Sequence, residues 1–171
     1  MDYKLLSIRS SKLTNLQIKN ICDLKDKEWK HGKKNQFKWF KKNIKSKDIH
    51  NMVYIRSKII GYTALRNKIF KIENSKIKKK YLLFDTLIIS KKYRGKKISK
   101  ILMDFNNSVI KKSKIFSLLI CNTKLVSFYK KNGWSHIKKK NIKIIDRKSN
   151  KNFMIFNKKL SNKKNYNFYF E

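Results

Sequence analysis

One strand–turn–helix segment, residues 81–112, constrains the fold of this 171-residue chain more than any other feature. The run YLLFDTLIIS is nearly all apolar, which is typical of a strand buried on both faces of a sheet. A basic turn with one glycine follows it, and after the turn apolar residues recur at helical spacing: Ile98, Ile101, Leu102, Phe105 and Val109. The segment predicts a central strand that leads through a tight turn into an amphipathic helix over about 97–112.

The turn between that strand and that helix has the features of an anion-binding site. The first turn of a helix presents unpaired backbone N–H groups and a partial positive charge, to which anions bind readily. Gly95 lets the backbone approach a ligand closely. Nearby cationic side chains suit phosphate: Arg94, Lys96, Lys97 and Lys100. A solvated basic loop is the alternative, because lysine is abundant throughout the chain.

The net charge of +36, from 46 basic and 10 acidic residues, should attract anionic partners such as nucleic acid, acidic membranes or polyanionic small molecules. The alternative is codon bias: an AT-rich genome favours Lys, Asn and Ile codons and would produce such a charge without selection for anion binding. Cys22 and Cys121 form no metal or redox motif and are expected to be free, buried thiols. The scattered histidines predict no metal site, and we expect His50 and His136 to be structural or surface residues.

The remaining patterns predict one mixed α/β domain over residues 1–160 and a tail, 161–171, that either packs or frays. Helices are expected from the N-cap Thr14 to about Trp29, around Phe37, Phe40 and Ile44, and over 124–134 with Gly133 as the stop. Strands are expected at 3–9, 51–57, 58–70, 114–122, 136–145 and 152–158, with a hairpin turn at Ser57-Lys58 and a solvated loop at 71–80.

The N-terminus lacks the sections of a signal peptide and no apolar run reaches about 18 residues, so we expect a cytoplasmic protein.

Two motifs, in order and at suitable separation, resemble the GNAT superfamily of N-acetyltransferases. In that superfamily a strand of pattern L-x-V leads into Y-R-G-K-G-[IL]-[GA], and here Leu87-Ile88-Ile89 precedes YRGKKIS (93–99). The downstream pattern N-x-x-A-x-x-[FL]-Y-x-K-x-G-[FW] is matched at Asn122, Leu125, Phe128-Tyr129, Lys131 and Gly133-Trp134. Lys97 replaces a usual glycine, Ser99 replaces Gly or Ala, and Leu125 replaces Ala. The resemblance implies a central mixed, mostly antiparallel sheet of six to seven strands, about four flanking helices and splayed central parallel strands.

The resemblance also implies acetyl-CoA as the cofactor and assigns residues to it. The pyrophosphate would bind the backbone amides from Lys96 to Lys100, including Ile98 and Ser99, and the pantetheine arm would pair with main chain at Leu87 and Ile89. Asn122 would contact that arm or the helix that follows.

Two residues are candidates for the proton transfers that acetylation of an amine requires. Tyr129 matches the superfamily's general acid, and the alternative is a core aromatic beside Phe128. Asp85 is a candidate base with the strand parity of Leu87 and Ile89. It is equally a candidate for a salt bridge, and a chain of waters is a further option for the base.

The superfamily's acceptor pocket corresponds here to residues 28–40, where Trp29, His31, Gln36 and Phe37 are candidate acceptor-binding residues. The helix pattern also fits a core Trp29 and Phe37 with an exposed His31, and this is the favoured interpretation. The expected acceptor is an anionic small-molecule primary amine, such as an amino sugar or a sugar nucleotide, and the enzyme a monomer or homodimer. Acetylation of a protein or peptide, for example a ribosomal protein, and a non-catalytic basic domain that binds nucleic acid are the alternatives.

Overall fold

The computed structural model of this chain describes residues 2–137, 139–146, 151–161 and 163–170. Over these residues the chain forms four α-helices: α1 Asn15–Trp29, α2 Lys33–Asn43, α3 Ile98–Ser113 and α4 Thr123–Lys131. It also forms nine strands: β1 Lys4–Arg9, β2 Ile49–Ile55, β3 Lys58–Ile72, β4 Lys78–Ile89, β5 Ser117–Cys121, β6 Ser135–Ile137, β7 Ile142–Ile144, β8 Asn152–Phe156 and β9 Tyr166–Phe168. None of the described helices is long and apolar enough to cross a membrane.

The described strands form one mixed sheet in the order β1-β2-β3-β4-β5-β8-β6, and β9 pairs with both β3 and β7. Five of its pairings are antiparallel, whereas β4–β5 and β7–β9 are parallel. The mixed, mostly antiparallel sheet with four helices is therefore confirmed. The structure describes nine strands where up to seven were expected, because a short helical turn at Lys139–Asn141 divides the strand expected at 136–145 into β6 and β7, and the tail contributes β9.

The chain divides into two compact units, and the first extends to Arg66 and then from Asp85 to Asn106. Its helix α1 begins with the predicted N-cap, where the backbone N–H of Gln17 donates to Thr14 Oγ1 at 3.2 Å and the Thr14 N–H donates back to Gln17 Oε1 at 3.0 Å. This reciprocal pair is a capping box, which satisfies backbone donors at a helix start. The predicted break between α1 and α2 is also present, since Lys30 ends α1 with φ 49° and Gly32 precedes α2 with φ 84°.

Apolar side chains pack in two clusters within this unit. One cluster joins α1 and α2 to β2, β3 and β4 and includes Ile21, Phe40, Tyr62 and Ile88. The other joins β2, β3 and the end of β4 to the start of α3 and includes Val53, Ile89 and Leu102. The hairpin between β2 and β3 turns at Arg56-Ser57, one residue earlier than expected.

His50 is fully buried on β2 and forms two short polar contacts. Its Nε2 lies 2.7 Å from Ser10 Oγ and its Nδ1 lies 2.8 Å from the Tyr62 hydroxyl, and its ring stacks on Phe40 and Tyr62. Burial, with a smaller contribution from Lys25, lowers the pKa of His50 to about 4. The histidine is thus a neutral structural residue, as expected.

Acid should therefore destabilise the protein through His50. The unfolded chain binds a proton at this histidine near pH 6.5, whereas the folded chain does so only near pH 4. Above pH 6.5 the His50 contribution to the free energy of unfolding is fully present. As the pH falls from 6.5 to 4, the free energy of unfolding should decrease by about 3 kcal/mol. Denaturant titrations across this range should show a shallower pH dependence for His50→Gln. His136→Gln, at an exposed histidine, is the control and should keep the wild-type dependence; equal slopes for wild type and His50→Gln would contradict the assignment.

The second unit, from Asn67 to Phe84 and from Asn107 onwards, has an aromatic core. Phe70, Tyr81 and Phe116 pack with Phe168 at ring-centroid distances of 5.0 to 6.4 Å. The tail thus packs instead of fraying, because β9 pairs with β3 and the Tyr81 hydroxyl donates to the Tyr169 carbonyl at 2.8 Å. In the same unit, Leu82 and Leu83 of β4 pair in parallel with Ser117 and Leu118 of β5.

The structure also bears on the expected loop at 71–80, the buried face of α3 and the two cysteines. The expected loop at 71–80 is shorter, because β3 extends to Ile72 and β4 begins at Lys78. On α3 the fully buried apolar residues are Leu102, Met103 and Ile110, whereas the expected Phe105 and Val109 are half-buried. Cys22 and Cys121 are free and buried, as expected.

Candidate active site

Strand β4 contains a backbone irregularity at Thr86, whose φ is 68°. This left-handed conformation is unfavourable for a β-branched residue, and strain of this kind often occurs at functional sites. It also interrupts the alternation of side chains along the strand. Leu87 and Ile89 pack with the start of α3, whereas Ile88 and Asp85 lie on the side of α1 and α2. The prediction that Asp85 shares the face of Leu87 and Ile89 was therefore wrong.

Asp85 forms an ion pair with a buried arginine. Its Oδ2 accepts a hydrogen bond from Arg66 Nη1 at 3.0 Å, and Arg66 Nη2 donates to the Asn43 carbonyl at 3.0 Å. The Arg66 guanidinium also lies 5.5 Å from the centre of the Trp39 ring. The salt-bridge alternative is thus present, with an arginine in place of the expected lysine, and the role of Asp85 as a base stays a prediction.

A pocket of about 540 Å³ opens beside Asp85 within the first unit. Its lining comes from α1, the α1–α2 connection, α2 and β4: Lys25, Trp29, His31, Asn35, Gln36, Trp39, Asp85 and Thr86. Three of the four candidate acceptor-binding residues, Trp29, His31 and Gln36, therefore lie together. Phe37 lines a separate pocket of about 500 Å³ with Phe40 and Ile44. Trp29 is 41% exposed and Phe37 39% exposed, so the favoured interpretation of both as core residues was wrong.

The basic turn after β4 presents its backbone to the surface. Gly95 has φ 78°, and a Cβ placed on it would meet no described heavy atom within 4 Å. Lys97 adopts φ 58° directly before α3 begins at Ile98. This left-handed φ gives the physical reason why glycine is usual at the position of Lys97 in the superfamily motif.

The cationic side chains of the turn are only partly available to a phosphate. The Arg94 guanidinium pairs with Glu28 of α1 and donates from Nε to the Ile89 carbonyl at 3.1 Å. Lys100 pairs with Asp104 one turn further along α3. Arg94 thus anchors the turn to α1 and β4, and the contribution of Arg94 and Lys100 to a phosphate site stays a prediction. Lys96 and Lys97 remain exposed.

Replacing Lys97 with glycine should stabilise the protein. A left-handed conformation costs a non-glycine residue about 1–2 kcal/mol, and the greater freedom of unfolded glycine offsets about 0.5–1 kcal/mol of the gain. We expect Lys97→Gly to raise Tm by about 2 °C in a thermal melt. Lys96→Gly is the matched control, because Lys96 lacks a positive φ, and it should lower Tm or leave it unchanged. A lower Tm for Lys97→Gly would contradict this reading of the turn.

In the second unit, Tyr129 lies on α4 within an aromatic cluster. Its ring packs edge-on against Phe84, Phe128 and Trp134 at 5.2 to 6.1 Å, and its side chain is buried. Burial, and to a smaller extent Cys121, raises the pKa of the Tyr129 hydroxyl, so the phenol stays protonated at neutral pH. A protonated phenol is the state that a general acid requires.

Asn122 is exposed at the N-cap of α4, where its side chain makes no capping hydrogen bond.

Sequence reasoning missed several residues of the pocket and the turn. Arg66 and Glu28 hold Asp85 and Arg94 in place, but they lie 19 and 66 residues away from those partners in sequence. Lys25 occupies a position four residues before Trp29 on the inner side of α1, and Thr86 interrupts β4. Lys25 follows the buried apolar residues Ile21, Cys22 and Leu24 on α1, which is a signal that the sequence offers. In a chain with so many lysines, however, one lysine at such a position carries little weight.

These features define a class of protein. A mixed sheet whose strand β4 leads through an open, glycine-containing turn into α3 has the strand–turn–helix arrangement that the first sequence motif predicted for an N-acetyltransferase. A family model described as an acetyltransferase (GNAT) domain matches residues 18–143, well over half of the chain. The chain therefore belongs to the GNAT acetyltransferase family. A comparison with the curated proteins finds no match.

Solved structures share this fold at low sequence identity. The YhbS acetyltransferase of Escherichia coli, in complex with CoA, superposes with a TM-score of 0.69 at 12% identity over 100% of this chain and 92% of its own. Escherichia coli ElaA gives a TM-score of 0.67 at 13% identity over 91% and 99%. The PaiA N-acetyltransferase of Thermoplasma acidophilum, in complex with coenzyme A, gives 0.56 at 19% identity over 91% and 99%.

Family membership confirms the resemblance drawn from the two motifs. It identifies the protein as an N-acetyltransferase that takes its acetyl group from acetyl-CoA. The roles of individual residues, the acceptor and the oligomeric state stay predictions.

Proposed function

We propose that the protein transfers an acetyl group from acetyl-CoA directly to the primary amine of a small molecule within a ternary complex. The observation that carries this proposal is the pocket of the first unit, in which a carboxylate, Asp85, lies among aromatic and amide side chains beside the irregular strand β4. A pocket of about 540 Å³ suits a small molecule, since ligand pockets typically enclose about 300–1,000 Å³.

The turn after β4 is proposed to bind the pyrophosphate of coenzyme A through its backbone. Three features support this: Gly95 leaves space above the turn, the first N–H groups of α3 lack partners within the helix, and Lys96 and Lys97 are exposed. Lys97 adopts a left-handed backbone conformation of the kind that glycine takes readily. Leu87 and Ile89 are proposed to pair with the pantetheine arm, and Asn122 to contact it.

The chemical roles follow from the state of each group. The thioester supplies an activated acetyl group, to which the amine nitrogen forms a C–N bond as the C–S bond breaks. Asp85 is proposed to accept the proton that the acceptor's ammonium group must lose before attack. Tyr129 is proposed to donate a proton to the departing sulfur. The nitrogen of the new amide loses a proton to solvent, and solvent returns a proton to the Tyr129 phenolate. The net products are an amide, a free thiol and one proton.

The acceptor is proposed to be an amino sugar or a sugar nucleotide carrying an amine. The net charge of +36 favours an anionic acceptor and disfavours a lysine-rich peptide, which the protein would repel. Trp29 and Trp39 offer flat aromatic walls, on which sugar rings and aromatic amines commonly stack.

Two measurements test this proposal. Saturating acetyl-CoA, at about 100 times its Kd, should stabilise the folded protein by about 2.7 kcal/mol in a thermal melt. Release of free thiol should then identify acceptors in a screen of amines, amino sugars and peptides. The absence of any thermal shift at saturating acetyl-CoA would refute the proposal, and acetylation of peptides alone would favour the protein substrate instead. Steeply salt-dependent RNA binding without acetyl-CoA binding would favour the nucleic-acid alternative.

A further inference from the structure

Lys25 is a buried cation in the pocket beside Asp85. Only 4% of its surface is exposed, although it lies on α1 of a chain whose lysines are mostly at the surface. Its Nζ lies 3.6 Å from the centre of the Trp39 ring and 5.9 Å from that of Trp29. Among the described residues the ion pairs of this unit use other cations, and Asp85 pairs with Arg66. The ammonium group is therefore held by aromatic faces, without a carboxylate bound to it.

The charged groups around Lys25 do not neutralise it. Burial lowers its pKa, the Asp85 carboxylate acts in the opposite direction, and the Arg66 guanidinium adds to the lowering. A buried ammonium is costly unless an anion compensates its charge. A ligand anion in the pocket would provide that compensation.

Gln36 supplies a second, independent observation. Its side chain is 3% exposed and lines the same pocket, and its Nε2 has no hydrogen-bond partner among the described residues. A buried amide N–H₂ without an acceptor is rare in folded proteins and costs about 1–3 kcal/mol. An oxygen atom of a ligand would satisfy it. The pocket thus holds two donors without acceptors, one of them cationic.

The same pocket also holds an acid, Asp85, so it presents both signs of charge. A simple alkylamine would satisfy Asp85 and leave Lys25 and Gln36 without an acceptor. A molecule with an amine at one end and an anion at the other would satisfy all three groups. Trp29 and Trp39 can cover the apolar part of such a molecule between its two ends.

We propose that the acceptor is a primary amine that carries a carboxylate or a phosphate, and that Lys25 and Gln36 bind this anionic group. The inference rests on the proposed function, which it deepens by assigning the recognition of the acceptor's anion to two named residues. Lys25 and Gln36 are binding residues that determine specificity, and neither takes part in the proton transfers.

Matched probes test the inference by calorimetry at about 150 mM salt, where charges more than about 8 Å apart are largely screened. The pairs are glucosamine 6-phosphate against glucosamine, and 4-aminobutyrate against butylamine. In at least one pair we expect the member with the phosphate or carboxylate to bind at least 10-fold tighter than its counterpart without that group. Preference in the first pair alone identifies phosphate as the anion, and preference in the second identifies carboxylate.

Variants then assign the preference to the pocket. Lys25→Met keeps the length of the side chain and should reduce the preference to below 3-fold, and Gln36→Glu should reduce it through like-charge repulsion. Lys27→Met is the matched control, because Lys27 is exposed on the same helix, and it should keep the wild-type preference. Gln36→Glu also decides the question if Lys25→Met fails to fold. Equal binding within both pairs, or a preference that survives both pocket variants, would overturn the inference.

The outcome is separable from that of the proposed function. Acetyl-CoA binding and thiol release report on the proposed function, and probe binding without acetyl-CoA reports on Lys25 and Gln36. A protein that binds acetyl-CoA and acetylates glucosamine and glucosamine 6-phosphate equally well, and butylamine and 4-aminobutyrate equally well, would keep its function and refute the anion site. A protein that prefers the anionic probes without binding acetyl-CoA would keep the anion site and refute the acetyltransferase proposal.

Discussion

Tyr129→Phe is expected to lower kcat by about 100-fold, the lower end of the usual range for general acid–base catalysis, while leaving the Kd of acetyl-CoA unchanged. Phenylalanine preserves the edge-on packing against Phe84, Phe128 and Trp134, so the fold should be retained. Only the hydroxyl is lost, and with it the proton for the departing sulfur. The Tyr129 phenol is protonated at neutral pH and can donate a proton, although burial raises its pKa and makes it a weaker acid.

The measurement compares single-turnover rates with calorimetric binding of acetyl-CoA, since a loss confined to kcat marks an interaction made in the transition state. Tyr3→Phe is the control, because Tyr3 is exposed near the N-terminus and should turn over at the wild-type rate. An unchanged kcat for Tyr129→Phe with the true acceptor would leave Tyr129 as a core aromatic, the alternative interpretation of its position.

Asp85→Asn is expected to lower both stability and activity. The substitution leaves Arg66 buried without its anion, which should cost about 2 kcal/mol of the free energy of unfolding, less than a fully buried pair because Asp85 is partly exposed. It also removes the proposed base, so kcat/KM at pH 7 should fall about 100-fold. This activity deficit should shrink at higher pH, where the free acceptor amine is already deprotonated.

Arg66→Met separates the two effects, because it breaks the same ion pair and keeps the carboxylate. Both variants should be less stable in denaturant titrations, but only Asp85→Asn should change the shape of the pH–rate profile. Parallel losses of activity at every pH in both variants would show that Asp85 acts through its ion pair with Arg66 and not as a base.

The proposed base and the proposed anion site both lie near the Arg66–Asp85 ion pair. Arg66 holds Asp85 on the side of α1 and α2, and the guanidinium also lies near Trp39, which carries the Lys25 ammonium on its ring. A change at Arg66 should therefore alter the placement of both Asp85 and Trp39. A substitution at Lys25 leaves the Arg66–Asp85 pair intact and is the cleaner test of acceptor recognition.

Local patterns in the sequence were sufficient for the helices and for the family. Thr14 and Gln17 form a cap because the partners lie three residues apart, and Gly133 ends α4 because a left-handed residue there is favourable for glycine. The turn at 93–99 and the stretch from Asn122 to Trp134 are also local, so the sequence alone predicts the acetyltransferase family. Acetyl-CoA follows from the same two motifs.

Tertiary structure alone decided which side chains share a pocket. The left-handed Thr86 moved Asp85 to the face opposite that expected from strand alternation, and no local pattern marks a β-branched residue for that conformation. Arg66, 19 residues away, paired with Asp85, and Lys25 became buried against Trp39 although its type and frequency indicated a surface residue. Spacing along the chain determined the class of enzyme, whereas contacts between distant residues determined the charges that line the pocket, because burial and pairing depend on neighbours that only folding brings together.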